Sequence, residues 1–108
     1  MAKDTSFHDY IVYDVLRDIS DITSRAMFGG HGVYQQGKIF AIIVDGELYF
    51  KANESTKKFF LERASHPFAY SKRDGKTYTM NYWLVGEAVY ENRDELKEWV
   101  ATAINASR

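Results

Sequence analysis

The chain has 108 residues, enough for one hydrophobic core and too few for two comfortable ones. Hydrophobic residues make up 45% of it, charged residues 27% and aromatics 16%, a globular balance that excludes a disordered chain. A formal net charge of −1 argues against a general electrostatic grip on nucleic acid or an anionic membrane, and the lack of cysteine excludes disulfides, thiolate metal sites and a cysteine nucleophile.

No apolar run approaches the length of a membrane span, and the first ten residues, MAKDTSFHDY, lack the apolar segment of a signal peptide. The expectation is a single domain over residues 1–108, in the cytoplasm and away from membranes. Ser6 and Asp9 match the [ST]-x-x-[DE] capping box, so a helix is expected from about Phe7. Val12, Val15, Leu16 and Ile19 then share one helical face, and the pattern stops near Ser20 and Asp21.

Residues 25–51, RAMFGGHGVYQQGKIFAIIVDGELYFK, organise the rest. Residues 24–28 read as a short first strand. Gly29, Gly30 and Gly32 bend it, and residues 33–35 resume the sheet. Gln36-Gly37 is a tight turn. Residues 39–44 form an almost unbroken apolar run, the pattern of a strand covered on both faces. Asp45-Gly46 is a type I′ hairpin signal. Residues 47–52 alternate, with Leu48 and Phe50 on one face and Tyr49 and Lys51 on the other.

Asn53 or Ser55 caps a second helix, expected over residues 54–64, and Pro67 ends any continuation. Residues 68–72 and 76–84 read as two further strands joined at Asp74-Gly75. Asn92 and Glu95 cap a last helix whose Leu96, Trp99, Val100, Ala103 and Ile104 form a broad apolar stripe. The order is α-β-β-β-α-β-β-α. Tight turns imply antiparallel pairing, so the expected class is α+β: a five-stranded antiparallel sheet with helices on one face.

The residues carry no catalytic signature. Gly29-Gly30-His31-Gly32 lacks the Gly-Lys-Ser/Thr ending of a phosphate loop and precedes a strand. His8, His31 and His66 are dispersed without metal-ligand spacing, so neither metal nor cofactor is expected. No G-x-S-x-G elbow occurs. Glu91, Asp94, Glu95 and Glu98 crowd the start of the last helix, where the helix dipole favours negative charge. The chain therefore reads as a non-enzyme.

Two binding surfaces are candidates. More rings are present than three helices can cover, so Tyr49, Tyr78, Tyr82 and Trp83 are expected at a protein interface on the open sheet face. That interface would serve a protein partner or a second copy of the chain. The alternative is direct nucleic-acid binding by Lys57, Lys58 and Arg63 together with Lys72, Arg73 and Lys76.

One combination of motifs is more specific. Arg25-x-Met27-Phe28-Gly29-Gly30-x-Gly32, Gly37-Lys38-x-Phe40-Ala41 and Asp45-x-x-Leu48-Tyr49-x-Lys51 resemble the N-terminal domain of the TfoX/Sxy family. Pro67-Phe68-x-Tyr70 and Met80-x-Tyr82 extend the likeness over roughly residues 7–103. The resemblance implies helices on an antiparallel sheet. It also implies regulation of natural competence through protein contact, with a transcription factor or RNA polymerase as partner. The signature residues are expected to be structural, with Met27, Phe28 and Phe40 packing and Arg25 tying the bend to a carboxylate. Larger members carry a further helical domain, which this chain is expected to lack, and many have proline where Gly86 stands.

Overall fold

The computed structural model describes residues 6–27, 29–71 and 73–108. Phe28 and Lys72, both named above, lie outside the described residues. The chain runs α1 (Ser6–Asp9), a π-helical stretch (Tyr10–Val15), β1 (Ile22–Met27), β2 (Gly30–Gln35), β3 (Lys38–Val44), β4 (Glu47–Lys51), α2 (Lys57–Leu61), β5 (Pro67–Ser71), β6 (Thr77–Val85), α3 (Glu87–Tyr90) and α4 (Arg93–Ala106). All strand pairs are antiparallel, in the order β1-β2-β3-β4-β6-β5.

The expected α+β class holds, and the strand count is corrected from five to six. What reads as one bent strand is a hairpin, β1 against β2, with Met27 opposite Gly30. Gly29, at φ +77°, supplies the turn between them. The other two tight turns follow their sequence signals, with positive φ at Gln36 and Gly37 and at Asp45 and Gly46. Short α3 is a further addition to the expected order.

Register explains which side is covered. Val33, Ala41, Phe50 and Trp83 form one cross-strand row, and Ile43, Leu48 and Val85 the next. These residues belong to the main core. Against them pack Ile11, Val15 and Leu16 of the first helical segment, Phe60 of α2, and Leu96, Trp99, Val100 and Ala103 of α4. The Phe60 ring lies 6.1 Å from Trp83 and 5.4 Å from Trp99, so α2 wedges between the sheet and α4.

β3 departs from strict alternation at one place. The pairing steps from Val33–Ala41 to Tyr34–Ile39, which leaves Phe40 as an extra residue in the strand. A bulge of this kind lets consecutive side chains share a face and bends the strand. Phe40 is wholly buried, and its ring lies 5.9 Å from that of Phe50 on the helix side. A second irregularity in register lies between Pro67 and Ala69, at the β5–β6 pairing.

The helix ends are closed by side chains. Asn92 Oδ1 accepts from the Glu95 amide at 3.2 Å, as the capping pattern implies. Asn53 Oδ1 accepts from the amides of Ser55 and Thr56, both at 2.9 Å, in the turn that leads into α2. Arg93 reaches the other end of the layer: its guanidinium donates to the Val15 carbonyl at 2.9 Å and to Asp18 Oδ2 at 2.6 Å. That bond holds the Asp18 carboxyl below its usual range.

Gly30 is required by close approach. A Cβ there would overlap the Ile43 carbonyl oxygen and stand 3.3 Å from the Val44 Cα, both on the neighbouring backbone. Gly86 has open space around it and an extended backbone. Gly30→Ala is therefore expected to destabilise the fold by about 2 kcal/mol or more, on the order of 10 °C in Tm. Gly86→Ala should stay within about 0.5 kcal/mol of the parent. Thermal melts of the two variants check this, and equal Tm values would refute the close-approach argument.

Candidate functional site on the open sheet face

The row opposite to the core carries Arg25, Gly32, Ile42, Tyr49 and Leu84 across five strands. Among the described residues no helix belongs to this row or lines its cavity. A flat sheet would hold the two edge strands, β1 and β5, about 24 Å apart, five spacings of about 4.8 Å. Met27 of β1 and Tyr70 of β5 nevertheless line the same cavity of about 600 Å³. The sheet is thus curled, concave on its helix-free side. The register shifts in β2–β3 and β5–β6 lie on its two flanks, where they supply the bend.

The cavity is almost entirely apolar. Ile39, Ile42 and Val44 of β3 line its centre. Phe68 and Tyr70 form one wall with Met80 and Tyr82 of the adjacent strand. Gly32 keeps the floor low: a Cβ there would meet Ile39 Cδ1 at 3.0 Å and Met27 Sδ at 3.1 Å. Ile42 and Tyr49 are buried at 7% and 8% exposure although no helix among the described residues lines the cavity, because the curled walls shield them. Tyr49 packs edge-on against Phe68 at 5.1 Å, and Tyr70 stacks on Tyr78 at 5.8 Å.

Charge on this face is unevenly spent. Glu47, the one carboxylate in the six described strands, accepts from the Tyr49 hydroxyl at 3.0 Å. Arg25, beside Met27, lies 5.8 Å over the Tyr34 ring. The expected carboxylate partner for Arg25 is replaced by that ring: among the described residues no ion pair involves Arg25. Lys51, opposite Tyr82, likewise has no ion-pair partner among them.

The sequence-predicted residues separate into groups. Tyr49, Tyr78 and Tyr82 do lie on the open face. Trp83 does not: it is 6% exposed on the covered side against Phe60, a correction that follows from alternation with Tyr82. Of the signature residues, Phe40, Ala41 and Leu48 are core, while Asp45 and Gly37 make turns. Met27 lines the cavity, and Arg25, Gly32, Tyr49 and Lys51 share its sheet face beside lining residues.

The two basic clusters are not brought together. Lys57 pairs with Glu54 at 2.8 Å. Arg63 lies 3.6 Å over the Phe59 ring and 3.7 Å from Glu98. Both belong to the helix layer. Arg73 and Lys76 sit in the β5–β6 turn, one length of β5 away, roughly 17 Å.

One polar chain escaped the sequence reading. His8 Nε2 is 2.8 Å from Ser24 Oγ and its Nδ1 is 2.9 Å from Asp9 Oδ1, the connectivity of a Ser-His-Asp triad. Adjacent residues 8 and 9 with a distant serine give no recognisable spacing. The Asp9 carboxylate is half exposed, and Ser24 does not line the open-face cavity. With the His31 ring 4.2 Å from that of His8, the group ties α1 to the sheet edge. Among the described residues no cluster of histidine and carboxylate could hold a metal, and no helix is long and apolar enough to cross a membrane.

Comparison with known proteins places this geometry in a lineage. The sequence model of the TfoX N-terminal domain matches residues 14–107. The chain is 29% identical over 87 residues to Protein Sxy of Escherichia coli, covering 81% of this chain and 41% of that protein. It is 26% identical over 96 residues to DNA transformation protein TfoX1 of Aliivibrio fischeri, covering 89% and 46%. The chain thus spans less than half the length of either curated relative.

Five tyrosines are held above the usual phenol range, Tyr78 by its hydrogen bond to Asp74 and Tyr82 by burial, and three of them are shifted further. Burial, then the hydrogen bond to Glu47, pushes Tyr49 up to about 12. The hydrogen bond to Glu91, then burial, does the same for Tyr10, and burial with the Glu87 charge for Tyr90. In each the folded state favours the neutral phenol, so the unfolded chain ionises first, near pH 10. Their contribution to stability is expected to persist below about pH 10 and to be lost between about pH 10 and 12. An alkaline titration of tyrosinate absorbance, with Tm followed in parallel, checks this; ionisation of every tyrosine near pH 10 would contradict it.

Proposed function

We propose, on the premise that this chain belongs to the TfoX N-terminal domain family, that it is a non-enzymatic regulatory module of the cytoplasm, acting in the control of DNA uptake by protein contact through its concave sheet face. The observation that carries the contact reading is the apolar cavity of about 600 Å³ on the helix-free side. Exposed apolar concavities of this kind mark binding surfaces. The regulatory reading is supported by likeness to a protein named for DNA transformation. A transcription factor or RNA polymerase is the partner class to seek, and a second copy of the chain is the other protein occupant.

The nucleic-acid alternative has less support. Its clusters lie in different layers, and Lys57 and Arg63 already face carboxylates. What remains among the described residues is Lys58 on α2 and a small basic turn at Arg73 and Lys76.

The large exposed apolar side chains allow a clean test. Tyr70 and Met80, at 38% and 39% exposure, line the cavity, whereas Tyr13 and Leu61 lie on the helix layer at 71% and 57%. Replacing Met80 with Glu should leave Tm nearly unchanged and abolish capture of the partner in crosslinking from a bacterial lysate. Tyr13→Ser should retain capture. Loss with Tyr13→Ser and retention with Met80→Glu would move the contact surface to the helices.

A further inference from the structure

Resting on the contact reading above, the geometry points to a partner of defined chemistry: we infer that the concave face receives an amphipathic helix whose apolar stripe is flanked by Asp and Glu. Three features of the face select this occupant.

The first is backbone accounting. At the centre of the face the backbone is already committed: Gly32, Ile42 and Tyr49 each lie in ladders on both sides, and Leu84 pairs with Tyr49. An extended peptide laid on the face finds no ladder to join, and its own polar backbone would be buried unpaired. A helix brings its backbone bonds with it, so only its side chains need satisfaction.

The second is shape. The cavity is lined from both edge strands, by Met27 of β1 and Tyr70 of β5, with Ile42 between them. Gly32 deepens it where larger side chains would fill it. Apolar side chains at i, i+3 or i+4, and i+7 of a helix would seat between Met27, Ile42 and Met80. Methionine suits such a surface, since its flexible thioether adapts to the side chains that enter.

The third is charge. Arg25 and Lys51 stand at the rim without a carboxylate partner among the described residues. Arg73 and Lys76 rise from the turn that ends the β5–β6 wall, without an ion pair among the described residues, and the Asp74 carboxylate between them accepts from the Lys76 amide and the Tyr78 hydroxyl. Glu47 is engaged by Tyr49. The carboxylates concentrate on the other layer, with Glu87, Glu91, Asp94, Glu95 and Glu98 on α3, α4 and the turn between them. Over the face and its turns Arg25, Lys51, Arg73 and Lys76 stand against Asp45, Glu47 and Asp74, so the rim keeps a small cationic excess while the opposite layer is acidic. An acidic flank is attracted to the rim and a basic flank repelled.

The test uses the full chain and two fluorescein-labelled peptides of one amphipathic design. They share a Leu/Phe stripe and differ only in flanks, Glu in one and Lys in the other. Fluorescence anisotropy should give the Glu peptide a Kd lower by about tenfold, a preference that shrinks as salt is raised. The double variant Arg25→Glu/Lys51→Glu should reverse the order. Where that variant fails to fold, the salt dependence with Arg25→Gln carries the same test. Met80→Glu should weaken the Glu peptide strongly. Equal binding of both peptides, preference for the Lys peptide, or binding of decanoate with no binding of either peptide would each overturn the inference. The contact reading is separable: if Met80→Glu abolishes partner capture while the Glu peptide does not bind, the surface stands and the acidic-helix assignment falls. If the Glu peptide binds while capture is indifferent to Met80→Glu, the reverse holds.

Discussion

A bulge in one strand decides the shape of this molecule. At Phe40 the β3 strand carries one residue more than β2 can pair, and the extra ring turns into the helix side beside Ala41. Burying that ring thickens the core beneath Phe50, and the bend that admits it helps to curl the sheet away from the helices. The concavity on the far side is the geometric consequence. Gly30 and Gly32 allow the same curl from the β2 side, one by close approach to the Ile43 backbone and the other by leaving the floor empty.

The core and the open face are thus two results of one arrangement. On the covered side the residues are large and fully enclosed: Phe40, Phe50, Phe60, Leu48 and Leu96 all have essentially no exposed surface. On the other side Ile42 and Tyr49 are shielded, among the described residues, by the walls that curl around them. An apolar surface kept accessible in this way has a cost in water, at about 25 cal/mol per Å² of apolar area. Its retention is reasonable where a partner covers it. The uneven charge follows the same division, with carboxylates at the start of α4, where the helix dipole favours them, and a small cationic excess at the rim.

Much of this was legible in the residues, and the exceptions have physical causes. The Asp45-Gly46 turn and the Asn92 cap are local, so their short motifs sufficed. The open face was legible as a count of rings too great for the helices. Which rings occupy it was not fully read, although alternation forbids Tyr82 and Trp83 from sharing a face. The β1–β2 hairpin was missed because glycines serve a bend and a turn equally well, and only pairing distinguishes them. The apolar run 39–44 hid its bulge, since a strand apolar on both faces shows no break in alternation where Phe40 is inserted. The π-helical stretch and the His8–Ser24 contact depend on tertiary packing and left no mark on spacing.

Paramagnetic relaxation of side-chain methyls by a neutral, soluble probe reads the central claim most directly. Methyls of Met27, Ile39, Val44 and Met80 should relax strongly, while those of Val33, Ile43, Leu48 and Val85 stay protected. Equal protection of the two sets would mean that the sheet is sealed on both sides within one chain, and the account of a contact surface would fail.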